Sequence, residues 1–345
     1  MTQNKLPEVD SCQVTPQLTV ADSLPTNDSR PDGYNHNDTI GIGNPDWMSN
    51  LPDDTCIRQI SMVGTHDTMA FRGGDILTCQ TLPLETQLNA GIRALDVRCR
   101  VVGGVLAIYH NIQFEGMYLN DVLNTVITFL HTHPKETVLM RIGDEGGPES
   151  AKFGEVFCNA YWKSYGKYFW EYNKKNENPT LGEVRGKIVM LQSFEAGTSY
   201  GINWNSDTLK IQDDYKLGTN WDLYSKWEKV KVHLKDANGN KPNIYINFLS
   251  GSVGSFPYFV ASGQSSPQNG APRLLTGKTT PGWQNDWPDF PRIGCFIGIC
   301  SIAFEGTNNL IINHICACSD IKHAGIIMCD FPGPDLINTI IALNG

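Results

Sequence analysis

Ile60-Ser61-Met62-Val63-Gly64-Thr65-His66-Asp67-Thr68-Met69 is the stretch whose reading decides the fold. An apolar run rich in β-formers stops at Gly64. A histidine and a carboxylate follow, where a buried strand opens into a loop. Side chains at a strand exit are held by the sheet yet reach solvent, as acid–base chemistry requires. Two later stretches share this construction and carry complementary groups. One is Gly91-Ile92-Arg93-Ala94-Leu95-Asp96-Val97-Arg98, running on to His110, and the other is Gly325-Ile326-Ile327-Met328-Cys329-Asp330. Two histidines, an arginine and several acids at strand ends are the materials for cleaving a phosphodiester.

Working outward, strand-like runs fall near 57–63, 92–98, 136–142, 187–192, 209–212, 243–248, 294–300 and 324–329. Helix-like runs lie near 83–90, 117–132, 149–162, 218–232, 307–319 and 334–343. Residues 118–130 bring an apolar side chain round every three or four positions, so this helix buries one face, and Pro134 stops it. Eight strands with intervening helices fit an α/β fold, a single distorted (β/α)₈ barrel of the TIM type, whose active site forms at the strands' C-terminal ends. His66, Asp67, Asp96, Arg98, Asp144, Glu145, Ser193, Asp213, Ser250 and Asp330 all fall at such ends. An open doubly wound sheet is the alternative, but no Gly-rich phosphate loop follows the first strand. Residues 1–45, rich in Pro, Asn, Asp, Ser and Thr, read as a disordered or draped arm, leaving 46–345 for the barrel.

The chain has 345 residues, 40% of them hydrophobic, and a net charge of −9. That balance argues against a broad grip on nucleic acid, and a strongly anionic membrane is resisted unless charge is uneven. No run approaches the roughly 18–20 apolar residues of a membrane span, and the N-terminus has no apolar signal core. Taken literally this is a cytoplasmic or membrane-peripheral protein, secreted if the chain is a processed form. Sequons at Asn27 and Asn37 matter only in that case. Cys99, Cys295, Cys300 and Cys329 sit in apolar runs and read as small core residues. His314, Cys316 and Cys318 offer metal-ligand types on a helix-like segment. Residues 251–292 place aromatics in loop-like sequence, either packing on the barrel or forming a rim that touches lipid.

Gly64-Thr65-His66-Asp67-Thr68-Met69, Leu95-Asp96-Val97-Arg98 and Tyr109-His110-Asn111, in this order, resemble the X-domain of phosphatidylinositol-specific phospholipase C, particularly its bacterial type. Further matches are Pro134–Met140, Lys187–Leu191, Ile211–Tyr215, Tyr245–Phe248 and Gly325–Phe331. The resemblance implies attack of the inositol 2-hydroxyl on its own phosphate at a membrane surface, giving diacylglycerol and inositol 1,2-cyclic phosphate. It implies His66 as general base, His110 as general acid, Asp330 fixing His66, Asp67 assisting His110, and Arg98 holding a phosphate oxygen. Metal-dependent relatives carry an acidic calcium ligand where Arg98 stands. The arginine therefore implies no metal and no cofactor, with Asp96 and Glu145 orienting Arg98. That role needs Arg98 and His110 on one face. Val101-Val102-Gly103-Gly104-Val105 reads as a hairpin; a three-residue bulged turn gives that arrangement where a two-residue turn sends them apart, so the bulged turn is expected.

Asp213 and Tyr215 match positions that contact and stack on inositol in relatives. Two basic headgroup contacts are replaced by Gly143 and Ser193, and Arg141, on the same strand face as Gly143, is the candidate substitute. Two other readings stay open. One is a metal-dependent enzyme similar to glycerophosphodiesterases or sphingomyelinase D, with Asp67, Asp96 and Glu145 as ligands. The other is a barrel that binds inositol lipids without turning them over.

Overall fold

Residues 30–239 and 242–345 are described by the structure, a computed structural model. The strands are β1 Met62–Thr65, β2 Ala94–Val102, β3 Val105–His110, β4 Gln113–Tyr118, β5 Val138–Asp144, β6 Ile188–Ser193, β7 Ile202–Asn203, β8 Leu209–Gln212, β9 Lys216–Leu217, β10 Ile244–Phe248, β11 Ser252–Val253, β12 Leu275–Thr279, β13 Arg292–Phe296, β14 Ile299–Ala303 and β15 Ile326–Cys329. Eight of them pair side by side in the order β7-β6-β5-β2-β1-β15-β10-β8, every contact parallel. Followed round from β1, that order is the chain order, which is the topology of a (β/α)₈ barrel. Among the described residues no pairing joins β7 to β8, so the wall is open along one seam.

Alternation along the strands sorts side chains to the two faces of this wall. Met62, Ala94, Leu139, Val189, Ile246, Phe248, Ile326 and Met328 form one apolar cluster inside. Val63, Leu95, Val97, Met140, Ile142, Ile327 and Cys329 join a second, larger cluster under the helices. Helix Leu119–Thr132 packs there through Val122, Leu123, Val126, Ile127 and Leu130. The inward positions therefore read Ala94, Asp96, Arg98 on β2, Leu139, Arg141, Gly143 on β5, and Ile326, Met328, Asp330 on β15. Apolar residues plug the bottom and charged ones open at the top. Gly64 is inward on β1, and a Cβ there would lie 2.3 Å from Met328 Sδ and 2.7 Å from Ala94 Cβ. The plug is closed that tightly, and His66 follows directly above it.

Three expectations are corrected. The run 294–300 is not a barrel strand, because β12, β14 and β13 form a separate antiparallel sheet. The short β7, hidden in Gly201-Ile202-Asn203-Trp204, takes a barrel place instead. Cys295 and Cys300 are not core residues, since they form a disulfide within that sheet, whereas Cys99 and Cys329 are buried thiols. The β2–β3 turn is two residues, Gly103-Gly104, both at positive φ (59° and 83°), closing Val102 against Val105. Both glycines take the left-handed conformation that the mirror-image type I turn demands, so no bulge is required.

The expected arm lies partly outside the described residues, as does the Asn27 sequon. From Arg30 onward it is packed. Tyr34 is buried and bridges to Pro332, and the Asn35 N–H donates to Phe331 O (3.0 Å). At the bottom, fully buried Arg93 pairs with fully buried Glu136 (Nε–Oε2 2.8 Å) and donates to the carbonyls of Leu88, Ile92 and Pro45. Glu136 Oε1 in turn accepts from the Met48 N–H (3.0 Å). The segment ahead of the barrel, β2 and β5 all meet at this pair. Arg93→Ala strands a buried carboxylate and lowers unfolding free energy by about 3–5 kcal/mol in urea denaturation. Arg93→Met with Glu136→Leu removes both charges and recovers most of that loss.

Candidate active site

β1, β3 and β15 deliver site side chains at or just past their C-terminal ends, and β2 delivers Asp96 and Arg98 from within the strand. His66 leaves β1, and its backbone N–H continues the ladder to Cys329 O (3.0 Å). Gln80 Nε2 clamps the two exits by donating to His66 O (2.8 Å) and Cys329 O (2.9 Å). Immediately after His66, His110 and Asp330 come Asp67 (φ 40°), Asn111 (φ 53°) and Phe331 (φ 47°), all left-handed. Each strand is thus turned aside by one strained residue, a cost that clusters where function needs fixed geometry.

Asp67 sits at the centre and is 3% exposed. Its Oδ2 lies 3.0 Å from Arg98 Nη1, 3.3 Å from His110 Nε2 and 3.5 Å from His66 Nε2. On the far side of His66, Nδ1 is 2.8 Å from Asp330 Oδ1, so Nδ1 carries the proton and Nε2 presents a lone pair. His110 Nδ1 is 2.8 Å from Leu77 O, a group that only accepts, which likewise assigns its tautomer. The imidazoles stand edge to face with centroids 6.5 Å apart. Asp96 Oδ2 takes Arg98 Nε (3.2 Å) and Nη2 (2.9 Å), while its Oδ1 takes Arg141 Nη1 (3.0 Å).

Electrostatics follow from this packing. Burial disfavours a charged His66 ring, but the Asp330 carboxylate outweighs it and raises the pKa above the ordinary 6.5. Burial pushes Asp330 up from its usual value against the pull of His66. Burial works against Asp96 too, yet Arg98 and Arg141 hold it far below the usual carboxylate range. Arg98 is part-buried, and Asp67 with Asp96 keep its guanidinium firmly charged.

A cavity of about 560 Å³ opens over these groups. His66, Arg98, His110, Arg141, Glu145, Asp213, Tyr215 and Asp330 line it. Arg141 also lies 4.3 Å over the Trp204 ring and donates to Ser193 Oγ (3.3 Å). Glu145 is turned to the backbone N–H of Asn111 (2.9 Å), so it braces the turn after His110, where the sequence reading has it orienting Arg98. Arg98 and His110 do reach one carboxylate despite the two-residue hairpin. The β2–β3 ladder ends at Cys99–Ile108, and His110 pairs onward with Gln113, which frees it from the pleat of β2. On the His314 segment, Cys316 is exposed and Cys318 is disulfide-bonded, so those three side chains do not make a metal set.

Lys226 was missed by sequence reasoning. It is 3% exposed and donates to Gln212 Oε1 (3.3 Å), and burial brings its pKa down to about 8. Its signal was a lysine on the stripe of Leu223, Trp227 and Val230 in helix Leu223–Ala237. The mouth residues Ile76, Val253 and Phe256, 67%, 73% and 41% exposed, gave no periodic signal. In the 251–292 stretch Tyr258, Phe259 and Phe290 pack inside, while Phe256 and Trp283 stay exposed.

The family model described as PI-PLC X 1 matches residues 55–215. A 1-phosphatidylinositol phosphodiesterase of Listeria monocytogenes is 31% identical over 227 residues, 61% of this chain and 69% of that protein. One from Staphylococcus aureus is 30% identical over 285 residues, 71% of this chain and 88% of that protein. The solved phosphatidylinositol-specific phospholipase C from Listeria monocytogenes superposes with a TM-score of 0.65 at 25% identity, covering 88% of this chain and all (100%) of that one. A Staphylococcus aureus structure, from work on modulating that enzyme's membrane binding, gives 0.62 at 22% identity over 88% of this chain and 98% of that one.

The raised His66 pKa fixes a sign. While Asp330 is ionised, the His66–Asp330 pairing contributes fully below pH 6.5 and is lost as pH rises through the higher folded value of His66; at acid pH it is lost again as Asp330, pushed up by burial, takes a proton. An NMR titration finds the His66 ring titrating above ordinary imidazole, and Asp330→Asn moves it down.

Proposed function

The chain belongs to the phosphatidylinositol-specific phospholipase C family, and we propose that it cleaves phosphatidylinositol, or a glycosylated inositol lipid, to diacylglycerol and inositol 1,2-cyclic phosphate. The observation that carries this reading is the pair of imidazoles and the guanidinium gathered on one buried carboxylate at the mouth of the barrel. His66 Nε2, with Nδ1 committed to Asp330, takes the proton from the inositol 2-hydroxyl as that oxygen attacks phosphorus. The nucleophile belongs to the substrate itself, so its effective concentration is high and no enzyme nucleophile is needed. His110, held by Leu77 O, delivers a proton from Nε2 to the departing diacylglycerol oxygen, and Asp67 steadies the charged ring. Arg98 meets the charge gathering on the phosphate oxygens.

Headgroup selection falls to β5, beside the catalytic group, and to the segment after β8. Asp213 accepts hydroxyls, Tyr215 offers a half-exposed ring for stacking, and Arg141 supplies the cation that Gly143 and Ser193 do not. Ile76, Val253 and Phe256 ring the mouth and favour contact with a lipid surface, so the aromatic stretch contributes through Phe256. Among the described residues no helix is long and apolar enough to cross a membrane.

Incubation with phosphatidylinositol in EDTA releases the cyclic phosphate, seen by phosphorus NMR. Loss of turnover in EDTA, restored by calcium, would instead favour the metal-dependent reading. His66→Ala and His110→Ala each lower kcat by about 10²–10⁴-fold. Arg141→Ala raises KM more than it lowers kcat.

A further inference from the structure

Cys79 lines the wall of the same cavity, is 1% exposed, and has no part in the reaction above. Its Sγ belongs to two overlapping groups, His66 with Asp330 and Asp67 with His110, and within each group the ligand atoms lie within 4.8 Å of one another. A tetrahedral zinc site has bonds of about 2.0–2.3 Å, hence ligand atoms about 3.5 Å apart. Roughly an ångström of inward side-chain movement forms it. Thiolate, imidazole and carboxylate together are the donor set that soft divalent cations prefer to magnesium or calcium.

Both carboxylates have spare acceptor capacity. Asp330 Oδ2 is buried with no hydrogen-bond partner. Asp67 Oδ2 touches Arg98 and both imidazoles, yet none of these contacts has hydrogen-bond geometry.

We propose that the catalytic cavity doubles as a site for a soft divalent cation such as zinc, anchored by Cys79 with one imidazole and one carboxylate, and that the cation switches the enzyme off. On binding, the thiol's S–H bond breaks, its proton leaves to solvent and a sulfur–metal bond forms with no change of oxidation state. The ion occupies a ring nitrogen of His66 or His110, which blocks proton transfer at that ring, and competes with Arg98 for Asp67. Binding depends only on the side chains, whereas inhibition rests on the function proposed above, so the two are read separately.

Cobalt(II) serves as the spectroscopic probe of the intact chain. One cobalt per chain gives a thiolate-to-cobalt charge-transfer band, and Cys79→Ser or Cys79→Ala abolishes it. Zinc suppresses phosphatidylinositol turnover by the natural chain. Both variants turn over normally without metal and need at least about tenfold more zinc for half-inhibition, as expected when a metal site loses an anchoring group. An identical band in Cys79→Ser, or equal zinc sensitivity in all three proteins, overturns the proposal. If none of them turns over the lipid, the functional reading fails and the cobalt band alone decides the site.

Discussion

The arrangement depends on one buried anion. Asp67 Oδ2 faces a guanidinium and two imidazoles at 3.0 to 3.5 Å. Without that charge the three would repel, and Arg98 already opposes protonation of His66. The carboxylate keeps its place because its own backbone is constrained. The Asp67 N–H donates to Asp96 Oδ2 (3.2 Å), and its φ of 40° bends the chain out of the strand. Asp96 meanwhile spends its remaining lone pairs on Arg98 and Arg141. Asp67 and Asp96 with the two arginines thus form a balanced cluster in which no charge is buried alone, the condition under which such groups are tolerated inside a protein.

Much of this was legible in the chain because alternation is a strong signal where one face is apolar. Met62-Val63-Gly64-Thr65-His66 and Ile326-Ile327-Met328-Cys329-Asp330 each place the polar residue in step with the inward apolar ones. What escaped had local causes. The run 294–300 has strand composition, but a strand's partner is chosen by tertiary geometry, and here β14 finds β12 and β13. β7 is two residues long, too short for any period. The hairpin register was argued on the assumption that pairing persists to His110, and it stops at Ile108. The left-handed Asp67, Asn111 and Phe331 have no glycine to announce them, because tertiary contacts impose those conformations.

The N-terminal segment extends the same logic outward. Tyr34 packs tilted against Phe331 (centroids 5.5 Å), His36 stacks on the same ring (5.0 Å) and lies 6.2 Å from Tyr34, and Asn308 Nδ2 donates to both Gly33 O and Asp330 O. The residue after Asp330 is therefore gripped from outside the barrel. The strap helps to fix the orientation of the carboxylate that in turn orients His66.

The open seam between β7 and β8 separates two jobs. β1, β2, β3 and β15, which position His66, Arg98, His110 and Asp330, are hydrogen-bonded on both sides, whereas β8, leading into Asp213 and Tyr215, is bonded on one side alone among the described residues. On the proposed reading, substitutions on that singly tethered margin alter headgroup preference and leave the strands that hold the two imidazoles in place. The unpaired edge thus lets that margin shift without pulling on the half of the wall that is bonded throughout.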